Sequence, residues 1–361
     1  MPSEILVQDG LAPYHFAGMV YKPAKGALNS QTQRLLLIGD YEGDEETLSG
    51  LSLITSPEDI NKLFPDEGST LSKMLQTAVK VNPMVEKYAY PLKGETLLEA
   101  LAKLPEVQFT QIAASSCEDL TAVNEMLEKR WNPTLQIDGH LFLAESGSVA
   151  ELTEKYKEIN NLTHISLMAK GDSESPSFLW AASLAAVNAA YAQKPFLPYH
   201  SLLLAGVKPP KTMFSLAQRN ILLKSGISTH FVEGKTVKID RLVSMYSKDS
   251  SYRDLNKKQI LSYLRYDFVK FLKSMYPRHA LSQDESQADG DVATPKSARD
   301  LAIARHLRWK KEKYVQDPDA EFKNLVRVWV DENNGETLRF YLPVQLMGQL
   351  RRTITTIAFT P

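Results

Sequence analysis

The sequence predicts a doubly wound α/β domain, then an α+β domain, with an extended strand arm at each end. Strand-like and helix-like segments alternate five times between Arg34 and Gln193 at the spacing of βαβ units. A connector with four prolines, Lys194–Lys211 "KPFLPYHSLLLAGVKPPK", follows this rhythm. Both ends carry strand chemistry outside any visible hairpin: "YHFAGMVY" at 14–21 and "TITTIAF" at 353–359. The expected division is an arm over 1–32, an α/β domain over 33–205, an α+β domain over 206–348, and a second arm over 349–361.

Residues 1–32 contain Gly10, Pro13, Gly18, Pro23 and Gly26 and no helical period, so they read as extended. "RLLLIGDY" is an unbroken apolar run, the pattern of a parallel strand buried on both faces. A helix over Gly68–Val81 places Leu71, Met74, Leu75 and Ala78 on one face. Strand "EKYAYPL" and helix Thr96–Leu104 follow, then strand "VQFTQIAAS" and helix Cys117–Arg130. Strand "HLFLAES", helix Ser148–Ile159, strand "HISLMAK" and helix Pro176–Gln193 complete the series. Beyond the connector come helix Leu216–Ser225, strands "STHFVE" and "KTVKIDRLVSMY", and a long helix Asn256–Tyr276. Residues 282–294 read as a mobile polar loop. Helix Ser297–Tyr314, strands "LVRVWVDE" and "LRFYLP", and the terminal strand close the chain.

Composition narrows the function. The single cysteine, Cys117, excludes a disulfide framework and a cysteine zinc site. The start lacks a basic region followed by an apolar run, so no signal peptide is read. The apolar stretch Phe178–Ala192 is too short to span a bilayer and reads as a buried helix. The net charge of −1 hides an asymmetry: residues 1–205 hold 15 Lys+Arg against 26 Asp+Glu, and residues 206–361 hold 27 against 17. The basic half is expected to face an acidic partner.

No phosphate-binding loop, dinucleotide fingerprint or HExxH is present, and the seven histidines are scattered, so no cofactor or metal is expected. Asp138-Gly-His140 with Ser146 and Ser148 suggests a hydrolase set, but no GxSxG elbow accompanies it and a turn before a strand is the plainer reading. Cys117 opens a helix, where a thiolate would be stabilised, although a small apolar residue at a strand–helix junction accounts for it. Lys257, Lys258, Arg265, Lys270 and Lys273 on one helix, and Arg299, Arg305, Arg308, Lys310, Lys311 and Lys313 on another, raise nucleic-acid binding. Weak aromatic interleaving makes an acidic protein partner the better reading. No catalytic residue is assigned.

Five phrases in order then carry a resemblance: "GSTLSKMLQTAVKVNP", "EKRWNPTLQIDGHLFLAESGS", "FSLAQRNILLKSGISTHFVEGKTVKIDRLVSMY", "LSYLRYDFVKFLKSMYPRHAL" and "VATPK". Together they resemble the contractile tail sheath proteins of Mu-like bacteriophages from Arg34 onward. The resemblance implies a subtilisin-like fold without protease activity for the larger domain and a C-terminal domain that faces the tail tube. It implies hexameric rings stacked around that tube, which contract to drive it through the host envelope for genome ejection. It further implies arms that add strands to neighbouring subunits, baseplate and tail terminator partners, assembly in the host cytoplasm and residence in the virion tail. Neither direct nucleic-acid contact nor membrane insertion is expected. The sheath of a tailocin or related injection system is the alternative, and an α/β hydrolase the remote one. Lys93-Gly94 leads directly into the next helix where longer sheath chains insert an outer domain, so a minimal version is expected.

Two residue sets follow. Tyr14, Phe16, Gly18 and Val20, with Thr353, Ile354, Thr355, Ile357 and Phe359, are the expected inter-subunit strand arms. Arg305, Arg308 and Lys311, spaced i, i+3, i+6 on one helix, are the expected tube-binding residues.

Overall fold

The structure is a computed structural model, and it describes residues 33–42, 50–159, 161–192, 194–248, 253–351 and 353–356. Its centre is an eight-stranded sheet in the order β2-β3-β1-β4-β5-β7-β8-β9. These strands are β1 (Arg34–Asp40), β2 (Ser52–Ile54), β3 (Glu86–Leu92), β4 (Gln111–Ala114), β5 (His140–Glu145), β7 (Ile165–Ala169), β8 (Ile227–Glu233) and β9 (Thr236–Arg241). Every pairing from β3 through β8 is parallel, and only the outermost β2 and β9 run antiparallel to their neighbours.

Parallel strands need crossover helices, and here the helices cover both faces. The alternation in β1 sets the two layers. Leu35 and Leu37 enter one core with α2 (Thr70–Val81) and α6 (Ser177–Tyr191). Leu36 and Ile38 enter the other with α3 (Leu97–Lys103), α4 (Leu120–Trp131), α5 (Val149–Lys155) and α7 (Leu216–Lys224). Leu71, Met74, Leu75 and Ala78 all bury in the first core, as their spacing predicts. Ser69, Thr96, Asp119, Ser148 and Ser215 each cap a helix with a side-chain oxygen. The cap at Asp119 starts α4 at Leu120 and leaves Cys117 in the preceding loop. α7 is followed by Gly226, whose φ of +76° turns the chain into β8.

The sheet runs past the expected boundary at residue 205, because β8 and β9 extend it to Arg241. Segment 201–204 lies along the outer edge of β9, with Ser201 N–H donating to Ile239 O at 2.8 Å and Leu204 N–H to Val237 O at 2.9 Å. The expected strand "KTVKIDRLVSMY" is interrupted: β9 stops at Arg241, and β10 (Met245–Tyr246) pairs instead with β6 (Asn161–Leu162).

A third core gathers around α8 (Leu255–Met275) and α9 (Pro295–Lys311), with Phe268, Trp309, Tyr314 and Phe322 at its centre. Phe322 belongs to α10 (Asp319–Leu325), a helix that the sequence reading did not anticipate, as it also missed α1 (Pro57–Leu63). The loop expected to be mobile is organised by its aspartates: Asp284 accepts from Ser286 N–H, and Asp289 accepts from Asp291 and Val292 N–H. β11 (Ala280–Leu281) and β12 (Val292–Ala293) pair across it. β13 (Arg327–Val330) and β14 (Leu338–Tyr341) form a separate two-stranded ladder.

Candidate assembly interface

The hydrolase set does not assemble. His140 opens β5, whereas Ser146 and Ser148 follow its far end, about 20 Å away at strand rise. Ser148 caps α5, its hydroxyl accepting from Glu151 N–H at 3.3 Å. Asp138 accepts from the Arg265 guanidinium and the Ser262 hydroxyl, and does not orient His140. His140 Nε2 lies 2.8 Å from Ser166 Oγ, and that hydroxyl donates to Val243 O at 2.7 Å. Ser166 has spent its proton on a carbonyl, so His140 donates from Nε2 and keeps Nδ1 as an acceptor. Burial pushes the Cys117 thiol up to about 12, with Glu118 and Asp119 adding to the shift, so the thiol stays protonated. Among the described residues, no group of three His, Cys, Asp or Glu could hold a metal ion. Nor, among them, is any helix long and apolar enough to cross a membrane.

His140 and His164 belong to a buried seam between the sheet and the first half of α8. Lys258 Nζ donates to Thr163 O at 2.9 Å and lies 3.5 Å from His140 Nδ1. Arg265 stacks on the Trp131 ring at 4.1 Å and donates to Trp131 O and Asp138. Burial drives the pKa of His140, His164 and Lys258 well below their ordinary values. Lys258 and Arg265 therefore point into the molecule, and the basic stripe expected along this helix is reduced at its centre.

The trio expected to bind the tube is likewise divided. Arg305 is not a free surface charge. Its Nε donates to Asp267 Oδ2 at 2.6 Å, and its guanidinium lies 4.9 Å from the Phe271 ring centre. Asp267 is buried and also accepts from Trp309 Nε1 at 2.6 Å and from the Tyr263 hydroxyl at 2.9 Å. The i, i+3, i+6 spacing could not reveal this, because the partner carboxylate sits on another helix. Arg308 and Lys311 are exposed, and Arg308 Nε donates to Glu312 Oε1 at 3.0 Å on its own helix.

The arms are described in part. Thr353, Ile354 and Thr355 are exposed and belong to no helix or strand, with Ile354 94% exposed. Ile357 and Phe359 lie outside the described residues, as do Tyr14, Phe16, Gly18 and Val20. Among the described strands, none pairs with the outer edges of the β13–β14 ladder, and its residues Trp329 and Tyr341 are 42% and 38% exposed. An unpaired backbone edge beside exposed aromatic rings is a template for a further strand.

Residues 91–245 match the phage tail sheath protein central domain. The chain is 32% identical over 253 residues to a Mu-like prophage FluMu tail sheath protein of Haemophilus influenzae, covering 67% of this chain. It spans about half the length of that relative, 52%. In structure it is similar to the helical sheath of the anti-feeding prophage in its contracted state, with TM-score 0.70 and 17% identity over 98% of this chain and 99% of that one. A sheath tail protein of Desulfitobacterium hafniense gives TM-score 0.58 at 9% identity, over 89% and 93% of the two chains. The mixed α/β fold with a parallel-rich sheet is that of the sheath structures. The chain belongs to the phage tail sheath proteins, and within them it is similar to those of Mu-like prophages.

Proposed function

We propose that this chain is the structural subunit of a contractile sheath of a phage tail or related injection system. Copies stack as hexameric rings around a tail tube, and the sheath contracts to drive the tube through a host envelope. The exposed Thr353–Thr356 segment and, separately, the open edges of the β13–β14 ladder carry the reading, because strand-forming residues without a described partner and an unpaired ladder edge both call for strands that a neighbour can supply. Arms containing Tyr14, Phe16, Gly18, Val20 and Thr353, Ile354, Thr355, Ile357, Phe359 would weave neighbours together. A net backbone hydrogen bond contributes about 0.5–1.5 kcal/mol, so one short strand gives a junction of a few kcal/mol.

The larger unit would correspond to the subtilisin-like part of the family, without its chemistry, and the unit built on α8 and α9 would face the tube. Arg308 and Lys311, without Arg305, form the surface offered to an acidic tube. Exposed ion pairs contribute about 0.2–1 kcal/mol each, weak enough to release during contraction and adequate when repeated over a lattice. The subunit acts without catalysis or cofactor; baseplate and terminator proteins would bound the polymer at its two ends. The virion tail is the place where it would act, and a tailocin sheath is the nearest variant of the same reading.

Negative-stain microscopy of the purified full chain tests this. Long hollow tubes of regular girth are expected as protein concentration rises. A protein that stays monomeric at every concentration, with or without tail tubes, would sink the proposal.

A further inference from the structure

We propose that Asp254 clamps the base of the C-terminal arm and so sets the point at which the arm leaves the subunit; this rests on the arm-exchange reading above. Asp254 occupies the N-cap position of α8, where an aspartate ordinarily accepts a hydrogen bond from its own helix. It makes no such bond. Its carboxylate is turned instead toward two guanidinium groups from distant parts of the chain. Arg241, at the end of β9, donates from Nε to Oδ1 at 2.9 Å and from Nη2 to Oδ2 at 3.1 Å. Arg351 donates from Nη1 to Oδ1 at 2.6 Å.

Arg351 stands just before the exposed residues Thr353–Thr356, so this contact is the last described hold on the chain before the arm departs. A second hold lies two residues earlier. Gln349 Nε2 donates to Pro195 O at 3.3 Å, and that carbonyl is itself fixed by Asn256 Nδ2 at 2.9 Å on the first turn of α8. The arm therefore starts from the junction of sheet, connector and long helix.

The charge balance makes the clamp separable from the fold. Arg241 already satisfies both oxygens of the carboxylate in a bidentate pair. Arg351 is the added cation, attracted by Asp254 and repelled by Arg241. Removing Arg351 leaves Asp254 paired, so no buried charge is stranded. Arg351 is thus a positioning residue, with its effect in assembly and little in the monomer.

The test compares four full-length or near-full-length proteins: the natural chain, Arg351→Ala, Arg351→Lys, and a chain ending at Arg352. Sedimentation gives the concentration threshold for polymerisation, and thermal unfolding of the monomer is followed in parallel. Arg351→Ala should raise the threshold about tenfold, equal to about 1.4 kcal/mol per junction. Arg351→Lys should recover most of that loss, and the monomer melts of both should match the natural chain. A natural threshold for Arg351→Ala, alongside loss of assembly in the shortened chain, overturns the clamp and leaves the arm reading standing. Failure of lysine to rescue, or a monomer melt lowered in step with assembly, also overturns it. Normal assembly of the shortened chain overturns the arm reading and the clamp together.

Discussion

β1 and the C-terminal segment both read as strands in the sequence and meet opposite surroundings. Leu35–Ile38 are fully buried, paired with β3 on one side and β4 on the other, with helices above and below. Thr353–Thr356 are all β-branched, yet they are exposed and join no described strand. Strand chemistry therefore says that a partner is required and leaves open which molecule provides it. The sheet is completed within the chain; the tail, on the proposed reading, is completed between chains. Mutations in the first should act on folding, and mutations in the second on assembly.

The largest folding effects should come from the closed region and from the core around α8. Trp180 is fully buried and its Nε1 donates to Ser173 Oγ at 3.3 Å, so Trp180→Ala should cost about 3–5 kcal/mol in denaturant unfolding. Asp267→Ala strands Arg305 and removes the acceptor of Trp309 and Tyr263; a loss of roughly 3–5 kcal/mol is expected. A loss below about 1 kcal/mol in either would mean that these residues are not the internal supports described here.

Acid should act next, and again on the fold. Burial pushes the His230 pKa down to about 4, and those of His140 and His164 well below the ordinary value. Above pH of about 6.5 both folded and unfolded histidines are neutral, and their full contribution is present. Below it the unfolded chain binds protons that the native one refuses, so stability falls as pH drops toward the folded pKa. His230 alone accounts for roughly 3 kcal/mol by the time pH reaches about 4. His230→Asn, which can keep a donor to Ala169 O, should flatten this slope; an unchanged slope would contradict the assignment.

The smallest effect on the fold should come from the exposed pair. Arg308→Glu with Lys311→Glu should shift monomer stability by under about 0.5 kcal/mol. The same double variant should load poorly onto tail tubes in a co-sedimentation assay. Natural loading would move the tube contact elsewhere, with Lys270 and Lys273 on α8 the next exposed cations.

What the sequence made legible follows the same division. The apolar runs of β1, β3, β5 and β7, and the one-sided spacing of α2, report burial within a few residues of each position. They predict the alternating elements and both helical layers. Long-range partners were hidden. Nothing near Arg305 announces Asp267, and the Pro-rich connector does not announce that its residues 201–204 lie along the edge of β9. Short elements such as α1 (PEDINKL) and α10 (DAEFKNL) hold only two or three apolar residues, too few to stand out as a helical face. Asp254 was equally silent: an aspartate before a helix ordinarily caps it, and here the carboxylate serves two arginines instead.

The comparison between closed sheet and open tail is tested most directly by deleting Thr353–Pro361 and measuring folding and assembly on the same preparation. The shortened protein should keep the natural circular dichroism spectrum and melting temperature, sediment as a monomer, and form no tubes at concentrations where the full chain does. Tubes of normal length from the shortened chain would show that the tail is a local edge without a partner, and that the subunit completes itself.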